Sequence, residues 1–470
     1  MSGAAIWRCA EETRSVSEGR FGSAEPKWCA SIRAALVAAA IGVAAFSPSR
    51  AADWTGLGDD DRMSTPANWL NEQVPAAGDD IDFSGVSSDI TVNADIDAAF
   101  GNVTMGDGAI TFTNALTAAS FSDLTKVAVA ADSTVTIDGD LETTTTYVVQ
   151  SIAAGGRFIV TGDLTVKNPL NGLANSGAGS FIVRGVLKTP STSSTAKFLA
   201  KPDIVMFGRL EAGTGGRTII NAPTVVVGAG GLDTIDTSAS PQFRSTPTLY
   251  ALDGEYAFNG TSGTKEFHLY SATPTLNTTQ YGTENVAATV TVNAAITRYS
   301  SGHNGGLNVT GCGRVVFNSV STFANGLVVY SPATVAVNPG KRPGNGTVTV
   351  HDGATLEVAQ SGTVNLNGGL TLADGANLGF NFTEKNAQPV LNVTGKTVTL
   401  GENGAVSVKV SAADGIRPKG GSYVLTSGGK FANATVTPAS GAPDWVKGVS
   451  VADGEIVLEV KPRGFMLIVK

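Results

Sequence analysis

Cysteine, histidine and charge are all scarce in this sequence. Three Cys and three His are spread over 470 residues, and only 15% of the chain is charged. Cys9 and Cys29 fall in a leader described below, which leaves Cys312 alone and excludes an internal disulfide framework. A solitary thiol of this kind reads as a small buried residue rather than a nucleophile. His268, His303 and His351 stand apart from one another, so no zinc-ligand spacing exists. The formal charge of −8 leaves no basic excess to neutralise phosphates, which excludes nucleic acid as an expected partner. Acidic clusters occur at Asp59 to Asp61 and Asp79 to Asp82. Calcium ligation is the sharper reading of them, but no Asp-x-Asp-x-Asp-Gly loop with its following Glu is present, and solvated turns explain them more simply. The sequence therefore assigns no catalytic, cofactor-binding or metal-ligating residue.

What the sequence does have is a period. Gly139, Gly162, Gly185 and Gly208 follow one another at one constant interval. Two residues before them stand Ile137, Val160, Val183 and Met206; four before stand Val135, Phe158, Phe181 and Ile204; two after stand Leu141, Leu164, Leu187 and Leu210. The apolar columns share one parity, as required if each repeat contains a β-strand with alternate side chains pointing inward. A fixed period of this size marks stacked units that bury their apolar faces only against neighbours. A leucine-rich repeat needs a Leu-x-x-Leu-x-Leu spacing, which no unit has. The returns, such as Asn168 to Ser180 and Thr189 to Ala196, carry Gly, Thr, Ser, Asn and Pro, which suit strands and tight corners. The expected fold is all-β: a single-stranded parallel β-helix, or β-solenoid, with coils of about 23 residues. The glycine column sits on the inward parity and is expected to form a corner between two short strands.

Taken in order, residues 1–51 read as a signal peptide with an extended n-region. Arg33 leads into the short apolar run Ala34 to Phe46, followed by Ser49-Arg50-Ala51 with small residues at −3 and −1. That run is too short to span a bilayer, so the mature chain is expected to have no transmembrane segment. Cleavage after Ala51 removes six basic and four acidic residues and takes the formal charge from −8 to −10. Residues 52–83 form a separate capping segment, in which Trp54 and Trp69 are expected to close the open end of the solenoid. The solenoid follows over 84–460, with irregular, loop-bearing coils at about 233–299, and residues 461–470 form a C-terminal strand in a final hairpin-like pair.

The segment Trp54-Thr55-Gly56, Asn68-Trp69 and Pro75 to Asp79 resembles the start of bacterial proteins with autotransporter-associated β-strand repeats. Gly306-Leu307-Asn308-Val309-Thr310-Gly311-Cys312-Gly313, with Gly353-Ala354-Thr355-Leu356 further on, is similar to the repeat itself. The resemblance implies a passenger-like β-helix on the outside of a cell and says little about activity. No run of alternating strands of about ten residues follows the last coils, so self-export through a C-terminal membrane barrel is not expected.

The regular block offers an outward column of Asp140, Asp163, Val186 and Arg209, beside Asp138, Thr161, Arg184 and Phe207. They read as opposite charges stacked across neighbouring strands on a solvated face. The alternative is a carboxylate pair with a basic partner, as in a polysaccharide lyase or glycoside hydrolase of this fold. The functional expectation is a secreted or cell-surface structural and adhesive protein that presents a long face to glycans or other surfaces. A polysaccharide-degrading enzyme, or a subunit of an extracellular layer that self-associates through rod ends, are the alternatives.

Overall fold

The computed structural model describes residues 51–167, 172–190, 197–199, 202–213, 218–234, 241–260 and 266–462. The protein is all-β, with 52% strand and 2% helix, and its largest sheet is a parallel one of 30 strands. It is a parallel β-helix. A complete coil has three short strands, such as Arg157–Val160, Leu164–Val166 and Ala174–Gly177, each pairing with its counterpart one coil away. The first face is the longest. Fifteen successive parallel pairings join Ala51–Asp53 at one end to Val398–Leu400 at the other. At ordinary strand spacing this is a stack of roughly 70 Å.

Inward parity builds the core. Phe158 and Val160 lie opposite Phe181 and Val183 in register, and all four are fully buried, with the two phenyl rings 5.1 Å apart. Each such side chain contributes roughly 1.5–3 kcal/mol through burial. The fourth repeat departs from the expected columns. Val183 pairs with Phe207, one position beyond the Met206 that the constant interval selects, whereas Leu187 pairs with Leu210, in step with it. The bend between strand halves is thus one position shorter in this coil, and the parity before it is reversed. Val205 and Phe207 fill the core, while Ile204 and Met206, expected inside, face outward and are half-buried. Phe207, expected on the outside, is fully buried.

The glycine column also needs refinement. Gly139 and Gly162 lie between separate strands, as expected of a corner. Gly185 and Gly208 instead sit within the continuous strands Ser180–Thr189 and Ile204–Ala212, at a break in register. The strand bends there without ending, and both halves keep their ladders.

The expected coil length holds only locally. Along the first face Thr134 pairs with Arg157 and Arg157 with Ser180, in two equal steps that match the glycine interval. The steps lengthen from Thr248 to Thr275 and again from Thr275 to Asn308, then shorten from Asn308 to Val328. The irregular 233–299 region therefore keeps its stacked strands, and extra residues enter between them. Residues 235–240 and 261–265, where long loops were expected, lie outside the described residues, as do most of 189–196 and part of 168–180.

The ends are closed differently. At the N-terminal end Trp54 and Trp69 form an antiparallel bridge, their rings edge-on at 4.9 Å, and both pack on Phe83. The Trp69 indole donates to the Met63 carbonyl at 2.6 Å. The parallel ladder already runs through this capping segment, because Ala51–Asp53 pairs with Asp80–Asp82 and the latter with Ala99–Thr104. At the C-terminal end Glu455–Val460 is the centre of an antiparallel sheet between Gly421–Val424 and Val446–Ala452. Glu455–Val460 thus pairs with upstream strands on both sides, and residues 463–470, where the C-terminal strand was expected, lie outside the described residues.

Candidate functional site

The outward columns of the regular block form a relay of capped turns. Asp140 Oδ1 accepts from the backbone N–H of Asp163 at 2.7 Å, and Asp163 Oδ1 accepts from that of Val186 at 2.8 Å. Asp80 does the same to Asn102 at 2.7 Å. In each case a glycine precedes the donor: Gly162, Gly185 and Gly101. A Cβ on any of them would collide with the capping carboxylate oxygen of the previous coil. The glycines are there because the aspartates need their space.

Lys188 Nζ meets Asp163 Oδ2 at 2.7 Å. This bond first, then the Val186 N–H, holds the Asp163 carboxyl below its usual range. Lys167 pairs with Glu142 at 2.5 Å, and Arg209 bridges Glu211 at 3.2 Å and the buried Asp233, whose Oδ2 accepts from Nε at 2.6 Å. Asp138 Oδ1 accepts from the Thr161 hydroxyl at 3.1 Å, and Arg184 is exposed. Lys167, Lys188 and Arg209 each meet a carboxylate along the rod, while Asp138 and Asp140 accept from neutral donors.

The acidic clusters of the cap also serve turns. Asp60 accepts from the Thr65 hydroxyl and the Arg62 N–H, which hold it below the usual carboxylate range. Asp79 accepts from Ala76 N–H and Asp82 from Ser84 N–H. Among the described residues no group of three or more His, Cys, Asp or Glu is placed to hold a metal ion. No helix among them is long and apolar enough to cross a membrane. Cys312 is half-buried, its sulfur 3.5 Å from the Thr279 hydroxyl.

Three groupings were not legible in the sequence. An asparagine ladder climbs the rod from Asn259 to Asn293 to Asn318 to Asn338, each side-chain amide donating to the carbonyl oxygen of the one before. The intervals between its members are unequal, so no period announces it. Glu357 lies on the outside of the second face, paired with Arg314 at 2.9 Å. Burial pushes its carboxyl up despite the nearby Arg314 and Lys409 cations. Arg314 Nε is buried without a hydrogen-bond partner among the described residues, and Lys409 donates to the Thr355 hydroxyl at 2.9 Å. The third is a cluster of Arg244, Tyr270, Tyr299, His268 and His303 on the outside of the third face. It draws its members from successive coils of unequal length, which is why the histidines look isolated in the sequence.

No family model, curated protein or solved structure matches this chain.

Proposed function

We propose that this is an exported, surface-displayed structural and adhesive β-helix protein, which offers a long outward surface to glycans or other surfaces. The observation that carries the reading is the stack of roughly 70 Å of parallel rungs, whose outward charges and amides are spent on neighbouring coils. Such a face is rigid and extended, which favours many weak contacts over one deep site. Export through a leader ending at Ala51 belongs to this proposal. Residues 1–50 lie outside the described residues, and Ala52 and Asp53 remain to form the first rung after cleavage. The likeness to autotransporter-associated repeats is part of the same proposal. A screen of residues 52–470 against immobilised glycans and matrix proteins tests it; capture by none of them overturns the adhesive reading.

One observation favours a second reading. Glu357, with its raised carboxyl beside Arg314 and Lys409, has the makings of a general acid on an outward face of a β-helix. A polysaccharide-degrading enzyme built on it would release reducing ends or unsaturated products from a polysaccharide panel, and Glu357→Gln would abolish the release. The adhesive proposal expects no product from the wild-type chain. Assembly into an extracellular layer through rod ends would show instead as concentration-dependent filaments.

A further inference from the structure

The third face gathers side chains that are rare elsewhere in the chain. Strands Gln242–Phe243, Glu266–Leu269 and Ala295–Arg298 pair in parallel, with Phe243 opposite Leu269 and Leu269 opposite Arg298. The residues just after them, Arg244, Tyr270 and Tyr299, therefore stand one rung apart. The Arg244 guanidinium lies 4.4 Å over the Tyr270 ring. The His303 ring lies 3.7 Å from Tyr270, and Tyr299 stands 5.1 Å from Tyr270 and 5.4 Å from His303. His268 closes the cluster, 5.7 Å from Tyr299.

The groups are held in place from below. Gln242, itself buried, accepts from Arg244 Nε at 3.1 Å and from Nη2 at 3.0 Å. His303 Nδ1 and the Ser300 hydroxyl are 2.7 Å apart. Glu266 accepts from the Thr297 hydroxyl at 2.9 Å and faces His268 Nε2 at 3.4 Å. His268 Nδ1 is buried without a hydrogen-bond partner among the described residues. Beside them Arg298 is exposed and takes part in no ion pair among the described residues. Arg244, His268 and His303 thus share the ridge with one engaged carboxylate, and Arg298 immediately precedes Tyr299, in a chain whose formal charge is −8. The outward cations Lys167, Lys188 and Arg209 of the regular block each meet a carboxylate; Arg244 and Arg298 meet none among the described residues.

We infer that this ridge binds an acidic polysaccharide, a chain of carboxylated or sulfated sugars. The inference rests on the surface-presenting reading above and names its partner. Tyrosine edges and faces bury apolar C–H surface at low entropic cost and offer a hydroxyl, which suits a sugar ring. A planar guanidinium pairs with carboxylate or sulfate in a fixed orientation, and Arg244 is already oriented by Gln242. Three rungs span roughly 10 Å, the reach of a short saccharide lying along the rod. A single-stranded nucleic acid would also seek rings and cations, but it needs a cationic track for successive phosphates. The cations here are confined to three rungs of an acidic chain, which favours the polysaccharide.

The test is retention of the wild-type chain, Tyr270→Ala and Arg298→Glu on four immobilised probes: a polyuronate, a sulfated glycosaminoglycan, a neutral glucan and an oligothymidylate. The expected result is salt-sensitive binding to at least one acidic polysaccharide, weakened about tenfold or more in both variants, with unchanged circular dichroism. Arg298 is exposed, so its variant decides the matter if Tyr270→Ala misfolds. Equal binding by wild type and Arg298→Glu overturns the site, as does tighter binding of the oligothymidylate than of either polysaccharide. Capture only by the neutral glucan or by a matrix protein overturns the inference and leaves the adhesive reading standing. Capture by nothing overturns both.

Discussion

The Asp163 carboxylate of one coil accepts a hydrogen bond at 2.8 Å from the backbone N–H of Val186 in the next, across the space left by Gly185. The bond links the charge pattern to the glycine period. It satisfies a backbone donor at a bend where the ladder breaks register, and its partner Lys188 stands on the same coil as the donor.

Removing that carboxylate should therefore loosen one bend. Asp163→Ala is expected to lower stability by about 1 kcal/mol, the net worth of an exposed hydrogen bond to a charged acceptor after solvent screening. Gly185→Ala should cost more, because the new Cβ meets the carboxylate and forces either the bend or Asp163 to move. Thermal unfolding of both variants checks the order.

The same bond makes stability depend on acid. The Asp163 carboxyl is held below its ordinary value of 3.8, so the folded state prefers it charged. Its stabilisation is complete above that value and is lost as pH falls through the lower folded value. Asp374, held down by the N–H groups of Asn403 and Ala405, behaves alike. Acid titration of the wild type and of Asp163→Asn should show a shallower loss below pH 3.8 in the variant.

Phe207 and Met206 test the shifted register. Phe207→Asp places a charge in the core and should abolish soluble expression, since an unpaired buried charge costs several kcal/mol. Met206→Asp, on the outside of the same strand, should express and melt close to wild type. Reversed behaviour would restore the unshifted columns and refute the pairing of Val183 with Phe207.

Coil deletion tests the solenoid as a whole. Removing Asp163 to Gly185 excises one whole coil and joins Gly162 to Val186, which then takes the place of its counterpart Asp163 one coil earlier. Solubility and β circular dichroism should survive. Removing Asp163 to Ala174 sets strands against corners, unpairs backbone groups and should give aggregation or degradation. Similar outcomes for the two deletions would sink the coil assignment.

Trp69 is expected to hold the N-terminal end. It is 2% exposed and packed against Trp54 and Phe83. Trp69→Ala should cost about 3–5 kcal/mol locally. Because a solenoid transmits stability through nearest neighbours, hydrogen exchange should rise in the first coils and stay unchanged near Leu370–Leu372.

The sequence by itself determined that the chain is a stacked β-structure, because alternation and a fixed period are local properties. Phe158 and Phe181 announce each other by spacing alone, and so do Gly162 and Gly185. The register of the fourth repeat was decided only in three dimensions. Val205 and Phe207 compete with Ile204 and Met206 for the core on equal hydrophobic terms, and the ladder to Ser180–Thr189 settles which pair turns inward. The clusters of function-bearing side chains were hidden for a related reason. Arg244, Tyr270 and Tyr299 meet because their strands stack, but the coils between them have unequal lengths, so no sequence interval marks the contact. Period survives in a sequence only where insertions are absent. Where residues enter between strands, backbone hydrogen bonding keeps the rungs aligned, and only the folded chain shows which side chains become neighbours.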